Sequence, residues 1–285
     1  GTMTTEYFYD VFPIDNFLFL TRGGSGAMGS TSGMLWVSTN GGVNFNFFNG
    51  IYGESIYKTY FINTLTGWVT TLYGTDVPYS KRRILKTTNS GQNWAMQFRD
   101  SSTNSFSSSN FEIQFVNQNT GFGLYYQDTY SNDNATFLKS TNGGTNWDST
   151  TLPYNKSKAL YFADGNMGWI AGGWYPDSIM ILRTTNGGNE WQIQKKGVNS
   201  ITAMYFVNNL TGWAVGYNGV ILKTVTGGLT GVQNISSEVP SAFSLSQNYP
   251  NPFNPVTKIR FDIQKPEFRS QNSEVTLNIF DITGK

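Results

Sequence analysis

Short apolar runs alternate with polar turns along most of this chain. Ile201-Thr-Ala-Met-Tyr-Phe-Val207 and Trp213-Ala-Val-Gly-Tyr217 are two such runs, and the polar segment Asn208-Asn-Leu-Thr-Gly212 separates them. Asn218-Gly219 precedes a third run, Val220-Ile-Leu-Lys-Thr224, and an Asn-Gly pair in this setting is a strong signal for a two-residue hairpin turn. The length of these apolar runs and their content of β-branched and aromatic residues predict short antiparallel strands.

One phrase, Ser/Thr-x-Asn-Gly-Gly-x-x-aromatic, recurs between these runs. It begins at Ser38, Thr87, Ser140 and Thr184. A degenerate copy, which lacks the aromatic residue, begins at Thr224. The starting positions lie 49, 53, 44 and 40 residues apart. A period in this range is typical of repeat architectures, and four short strands per repeat is the size of one propeller blade. The predicted fold class is therefore all-β, a β-propeller of five four-stranded blades.

The residues of this box suit a turn better than a chemical site. Glycine adopts positive φ without steric cost, the leading hydroxyl can bond to the turn backbone, and the closing ring can pack between blades. The box is not a phosphate loop, because no helix follows it and no lysine stands where such a loop needs one. The residues predicted to have this structural role are Ser38, Gly42, Phe45, Thr87, Gly91, Trp94, Ser140, Gly144, Trp147, Thr184, Gly188 and Trp191.

The boxes resemble the Asp-box (BNR) repeat, with Asn in place of Asp. Together with Phe206-Val-Asn-Asn-Leu-Thr-Gly-Trp213 and Gly219-Val-Ile-Leu-Lys-Thr224, they make the repeats similar to the blades of Ycf48-like propellers. The resemblance implies a propeller over residues 4–232. Sialidases, sortilin-type receptors and some endoglucanases share the box, so the resemblance implies a fold and leaves the function open. Five blades either close a ring alone or belong to a larger ring, and the sequence leaves both alternatives open.

The chain changes character after the fifth box. Residues 233–243 are predicted to be a linker. Ser246-Gln-Asn-Tyr-Pro-Asn-Pro-Phe-Asn-Pro255 and Ile279-Phe-Asp-Ile-Thr-Gly-Lys285 resemble the start of the C-terminal sorting domain of type IX secretion cargo. This resemblance implies a truncated Ig-like β-sandwich over 244–285 in a fragment of a longer precursor. It also implies contact with the type IX machinery, a source among the Bacteroidetes and a secreted or outer-surface location, although no signal peptide is visible.

Composition excludes several kinds of chemistry. The 285 residues include no Cys and no His, so disulfides, Ser-His-Asp triads and Cys-His pairs are excluded within this chain. No metal site or cofactor is expected, and a net charge of +1 does not favour nucleic acid. No apolar run is long enough to span a membrane. Lys81-Arg-Arg83, the only basic run, is interpreted as a solvated hairpin end.

The order of strands predicts which face of the propeller binds ligands. Successive turns alternate between two faces, so the Thr-Gly-Trp and box turns share one face, which we call the turn face. The connections from second to third strand and from blade to blade share the other, the loop face. The long connections all belong to the loop face and include 73–82, 99–110, 125–136 and 172–178. Loops on a rigid scaffold usually carry binding, so we expect the ligand there.

Aromatic residues of these connections are the predicted ligand contacts, because exposed rings beside Asn and Asp suit sugars. They are Tyr73, Tyr79, Tyr125, Tyr126, Tyr130, Trp174 and Tyr175. The competing interpretation is that these rings pack beneath their own loops.

The sequence favours a non-catalytic module that binds a polysaccharide or a surface protein. The alternative is a glycoside hydrolase, which needs two carboxylates. The candidates are Asp76, Asp128 and Asp177, with Asp100 and Asp133 on the same face. A membrane-protein assembly factor like Ycf48 is a third hypothesis.

Overall fold

The computed structural model describes residues 7–23, 33–51, 54–73, 81–100, 111–126, 134–172, 180–197, 200–228, 233–236, 244–245 and 261–262. The chain divides into two compact units, Gly1–Ile235 and Ser236–Lys285. No helix among the described residues has the length and apolar character needed to cross a membrane.

The described residues up to Ser236 include twenty strands. In chain order they are β1 (Tyr7–Ile14), β2 (Phe17–Gly23), β3 (Gly33–Ser38), β4 (Asn46–Ile51), β5 (Glu54–Phe61), β6 (Gly67–Tyr73), β7 (Lys81–Thr87), β8 (Ala95–Arg99), β9 (Phe111–Phe115), β10 (Gly121–Tyr126), β11 (Asn134–Ser140), β12 (Asp148–Asn155), β13 (Ser157–Phe162), β14 (Gly168–Gly172), β15 (Met180–Thr184), β16 (Gln192–Lys196), β17 (Ile201–Phe206), β18 (Gly212–Gly216), β19 (Ile221–Thr224) and β20 (Gln233–Ser236).

Each consecutive group of four strands forms one sheet in chain order, which we number blades 1 to 5. The first strands of consecutive blades pack against one another, so the first strand of each blade is the innermost. The prediction of a five-bladed, all-β propeller is confirmed. The predicted linker starts too early, because Gln233–Ser236 is the fourth strand of blade 5. The predicted Ig-like sandwich lies largely outside the described residues.

The box folds as a turn closed by its own side chains. Ser140 Oγ accepts the backbone N–H of Gly144 at 2.9 Å and donates to Asn142 Oδ1 at 3.1 Å. Asn142 Oδ1 in turn accepts the N–H of Asn146 at 2.9 Å. Gly144 has φ of 84°, a conformation that favours glycine. The same hydroxyl-to-glycine bond occurs in the other four boxes.

Removing the box hydroxyl should destabilise the fold. Ser140→Ala leaves the buried N–H of Gly144 without its acceptor, so we expect the free energy of unfolding to fall by about 1–3 kcal/mol. Thr145→Ala is the matched control, because its hydroxyl bonds to the Asn142 carbonyl of the same box but is exposed, and we expect less than about 0.5 kcal/mol. Urea unfolding measures both. Equal losses in the two variants would contradict the assigned role of Ser140.

Junctions between blades repeat one aromatic stack. We call the face that meets the following blade the trailing face and the opposite one the leading face. A ring on the second strand of one blade stacks on a ring that ends the first strand of the next blade, with centroids 3.5–3.7 Å apart. The four pairs are Phe19–Phe61, Trp68–Phe115, Phe122–Phe162 and Trp169–Phe206.

Glycine begins the second strand in blades 2 to 5 because the ring of the first strand lies on it. A Cβ atom at Gly121 would overlap the Phe115 ring, and Gly67, Gly168 and Gly212 are covered in the same way. The closing box ring packs at the same junction. Trp191 meets Phe137 of blade 3 edge-on, with centroids 5.4 Å apart, which confirms the predicted packing between blades.

Two backbone turns meet on the turn face of every blade. The N–H of Gly143 in the box of blade 3 donates to the carbonyl of Asn119, which lies in the turn between β9 and β10, at 2.8 Å. Corresponding bonds occur in the other four blades. The long connections therefore join strand ends at the opposite, loop face, as the alternation of turns predicts.

Candidate binding site at the loop face

Most of the predicted site residues lie outside the described residues. These are Tyr79, Tyr130, Trp174, Tyr175, Asp76, Asp128, Asp133 and Asp177, and for Tyr73 only the backbone at the end of β6 is described. Tyr125 and Tyr126 are described and are only 4% and 7% exposed. The expectation that these two present exposed rings is wrong, because both are core residues of blade 3. Tyr125 packs edge-on against Phe111, with centroids 5.2 Å apart.

A buried arginine links strand ends at which one long connection ends and two others start. The Arg82 side chain is 1% exposed, and its Nη2 donates to the carbonyl of Tyr126 at 2.8 Å. Its Nη1 lies 3.4 Å from Asp100 Oδ2, and its guanidinium covers the ring of Tyr125 at 4.9 Å. Arg82 follows the segment 74–80, Asp100 precedes 101–110, and Tyr126 precedes 127–133. One side chain therefore links the bases of three loop-face segments from blades 2 and 3.

A second ion pair lies beside it at the start of blade 2. Glu54 is 5% exposed, its Oε1 accepts Arg83 Nη1 at 2.8 Å, and its Oε2 accepts the hydroxyl of Thr71. The interpretation of Lys81-Arg-Arg83 as a solvated hairpin end is therefore wrong for both arginines. The sequence could have indicated that Arg82 is buried. Arg82 lies two residues before the buried Ile84, and residues two apart in a strand lie on the same side of it.

Burial governs the ionisation of this cluster. Burial lowers the pKa of Arg82, while the neighbouring carboxylate of Asp100 raises it and favours the charged form. Burial and the charge of Asp100 raise the pKa of Tyr125 to about 12. Tyr125 is therefore a neutral phenol at physiological pH and is poorly suited to act as a nucleophile.

A charged trio lies on the innermost strands of blades 1, 2 and 3. Asp10, Lys58 and Glu112 occupy the same register position in β1, β5 and β9, opposite Thr21, Thr70 and Leu124. Lys58 Nζ lies 3.4 Å from Asp10 Oδ1 and 3.9 Å from Glu112 Oε2. Asp10 Oδ2 also accepts the backbone N–H of Thr59 at 2.8 Å. One lysine therefore bridges two carboxyl groups at the centre of the propeller.

Burial shifts both acids of this trio towards their protonated forms. It raises the pKa of Glu112 from its ordinary value of 4.5 to about 7, against the attraction of Lys58. Burial likewise raises the pKa of Asp10. Burial alone would lower the pKa of Lys58. The attraction of Glu112 and Asp10 is larger than this effect, so the pKa of the amine is raised. Glu112 can therefore gain or lose a proton near neutral pH.

The titration of Glu112 should make stability depend on pH. Between pH 4.5 and about 7 the unfolded chain has lost a proton that folded Glu112 retains, so the free energy of unfolding falls as pH rises through this window. Glu112→Gln removes this loss. We expect the variant to gain about 1–3 kcal/mol relative to the wild type between pH 4.5 and pH 8.

Urea unfolding at several pH values measures this difference. Asp148→Asn, which removes an exposed carboxylate on β12, is the control and should show no comparable gain. A difference between Glu112→Gln and wild type that stays constant with pH would contradict the raised pKa.

An aromatic pair stands next to the charged trio. Tyr9 and Tyr57 lie at β-bulges in the first strands of blades 1 and 2, and their ring centroids are 5.1 Å apart. Tyr9 is 44% exposed. Bulges redirect side chains and are frequent beside functional sites. The sequence did not indicate this pair, because both tyrosines lie within strands and outside the long connections, and no turn residue marks either bulge.

Among the described residues, no group of three or more acidic side chains is arranged to hold a metal ion. The loop face of blades 1 to 3 therefore combines a buried ionic anchor, a central charged trio and a partly exposed tyrosine pair.

Comparisons with known proteins establish the fold and no activity. No family model and no curated protein matches the chain. Among solved structures, a glucose dehydrogenase aligns with a TM-score of 0.53 at 10% identity, over 82% of this chain and 89% of that one. Ycf48 bound to a D1 peptide aligns with a TM-score of 0.42 at 15% identity, over 86% and 88%. An α-L-arabinanase from Penicillium chrysogenum, complexed with arabinobiose, aligns with 0.47 at 12% identity, over 77% of each chain.

Proposed function

We propose that this chain is a non-catalytic binding module whose loop face holds a glycan. The observation that carries the proposal is the Arg82 anchor, which ties together the bases of three long loop-face segments. A buried, hydrogen-bonded anchor keeps strand ends in fixed positions and so favours a preorganised binding surface. Glu54 and Asp100, two described carboxylates near this anchor, are each paired with an arginine, which suits a structural role better than acid–base chemistry.

The side chains at the centre of the loop face suit a sugar. Tyr9 on β1 has a partly exposed ring. Asp10, the next residue on β1, and Lys58 on the neighbouring inner strand β5 add polar groups beside it. A sugar ring stacks through its apolar face and forms hydrogen bonds at its rim, which matches this combination. The segments that contain Tyr79, Trp174 and Tyr175 add further aromatic residues to this face in sequence.

Affinity electrophoresis through gels that contain plant, algal and bacterial polysaccharides tests the proposal. We expect one polymer to retard the chain without new reducing ends, and Tyr9→Ala to lose at least about tenfold in affinity. Phe47→Ala is the matched control, because Phe47 is 54% exposed on the outer strand of blade 1 and should leave retardation unchanged. An absence of retardation by every polymer would contradict the glycan proposal and favour a surface protein as ligand.

One observation favours a second candidate, a glycoside hydrolase. Glu112 has a pKa of about 7, which suits a general acid, and a second carboxyl group, Asp10, contacts the same Lys58 amine. New reducing ends in the electrophoresis lanes that disappear in Glu112→Gln would establish this candidate in place of the first. Retardation without new ends would exclude it for the polymers tested.

We also propose that the tail directs the protein to the cell surface. Its Pro- and Asn-rich phrase resembles type IX sorting segments, and within the second unit β21 (Ser244–Leu245) pairs antiparallel with β22 (Phe261–Asp262). A reporter carrying residues 244–285 should appear outside a type IX-competent bacterium, whereas the reporter alone should stay inside. Retention of both forms would contradict the proposal.

A further inference from the structure

The trailing face of blade 5 is built like a blade junction, yet it is exposed. Val215 is 41% exposed, whereas the residues at its position in the other blades are at most 1% exposed; they are Thr21, Thr70, Leu124 and Ala171. Ile221 is also 41% exposed, whereas its counterparts are at most 6% exposed; they are Leu35, Ile84, Phe137 and Ile181. Trp213 holds the position of the stacked rings of blades 1 to 4 but is only half-buried. Blade 5 thus presents an apolar junction surface to solvent.

Side-chain hydrogen bonds also cross two of the junctions, between blades 2 and 3 and between blades 4 and 5. Trp169 Nε1 donates to the carbonyl of Gly227 in the box of the next blade at 3.1 Å, and Lys86 Nζ donates to the corresponding Gly143 carbonyl at 2.8 Å. Tyr161 donates its hydroxyl to the Phe206 carbonyl of the next blade at 2.6 Å. Blade 5 carries the same donor types at these positions, which are Trp213, Lys223 and Tyr205. No hydrogen bond from them to another blade occurs among the described residues.

The leading face of blade 1 is the complementary half. Val11 is 58% exposed, whereas its counterparts in blades 2 and 3, Thr59 and Ile113, are 4% and 6% exposed, and those in blades 4 and 5, Leu160 and Met204, are half-buried. Phe8 is 55% exposed, whereas its counterpart Ile56 is fully buried. The box of blade 1 places the Gly41 carbonyl where a lysine or tryptophan of a preceding blade finds its acceptor. Pro13 replaces the stacking ring of the other blades, and its own apolar ring can still pack on an indole.

We propose that the trailing face of blade 5 docks onto the leading face of blade 1 of a second copy of this chain. The extensive contacts between described strands of different blades join consecutive blades, and Val11, Phe8, Val215 and Ile221 are exposed, so these residues of blades 1 and 5 are not covered by a neighbouring blade of the same chain. The contact continues the junction that already occurs four times within the chain, with Trp213 and Lys223 facing the Gly41 box and Ile221 facing Phe45. The interface is heterologous, so copies assemble head to tail. This proposal does not depend on the glycan-binding function.

Sedimentation velocity with two blocked variants tests the contact. Val215→Asp blocks the trailing face and Val11→Asp blocks the leading face, and both sites are exposed within one chain, so neither change should prevent folding. We expect the wild type to assemble as concentration rises, and each variant alone to associate at least about tenfold more weakly. An equimolar mixture of the two variants should form a dimer and no larger species, because one intact face of each kind remains.

Val225→Asp is the matched control. Val225 is 61% exposed in blade 5, but its counterparts Thr39, Thr88, Thr141 and Thr185 are exposed in every blade, so this variant should assemble like the wild type. A wild type that stays monomeric at all concentrations would overturn the proposal. Assembly that survives Val11→Asp but not Val215→Asp would also overturn it, because a symmetric contact between two blade 5 faces would then be responsible.

Discussion

Replacing Trp68 by alanine should lower the free energy of unfolding by about 3–5 kcal/mol. Trp68 is fully buried, stacks on Phe115 with ring centroids 3.5 Å apart, and is covered by the Lys86 amine at 5.1 Å. Truncation removes the transfer free energy of the indole and leaves a cavity that the paired sheets of blades 2 and 3 cannot easily close. Urea denaturation followed by circular dichroism measures the loss.

Trp213→Ala is the matched control for Trp68. Trp213 holds the same position in blade 5 but stacks on no ring of a following blade among the described residues, and it is half-buried. At concentrations where the protein is monomeric, we expect its loss to be less than half that of Trp68→Ala, because burial is smaller. Equal losses would mean that the stack between blades contributes little to stability.

Arg82→Met should also destabilise strongly, by about 3–5 kcal/mol. The substitution keeps much of the side-chain volume but leaves the nearly buried carboxylate of Asp100 and the carbonyl of Tyr126 without their charged donor. The double variant Arg82→Met/Asp100→Leu should recover most of this loss, because it also removes the buried carboxylate that faces the guanidinium. Urea unfolding of the wild type, the single variant and the double variant forms the test.

The same variants separate stability from binding. If Arg82 anchors the bases of the loop-face segments, the double variant should regain stability but remain deficient in polysaccharide retardation. Full recovery of both properties would show that the anchor does not position the binding surface. A single variant as stable as the wild type would contradict the buried ion pair itself.

The structure of the turns could be predicted from the sequence, because the hydrogen bonds that stabilise them join residues only a few positions apart. The hydroxyl of Ser140 bonds to a backbone group four residues away, and Asn218 and Gly219 adopt positive φ values of 58° and 72° in the predicted hairpin turn. The regular recurrence of such turns also predicted five four-stranded blades and the two faces of the propeller. These features depend on local backbone geometry, which amino-acid type constrains directly.

The candidate site could not be predicted in the same way, because it is formed by contacts between residues that are far apart in the sequence. Arg82 and Tyr126 are 44 residues apart, and their contact turns an apparently solvated basic run into a buried anchor. Asp10, Lys58 and Glu112 meet because three inner strands align in register around one centre. Tyr125 was expected on the surface and is buried, because β10 extends through Tyr126 and the Tyr125 ring packs against Phe111.

By itself, then, the sequence determined the repeat, the turns, the all-β class and the side of each blade that carries variable connections. Tertiary structure alone decided which charges are buried, why glycine precedes the second-strand ring, and that apolar residues on the trailing face of blade 5 are exposed. The physical reason is that turn geometry is fixed by torsions and hydrogen bonds within a few residues. Burial, pKa and packing instead depend on which distant strands become neighbours.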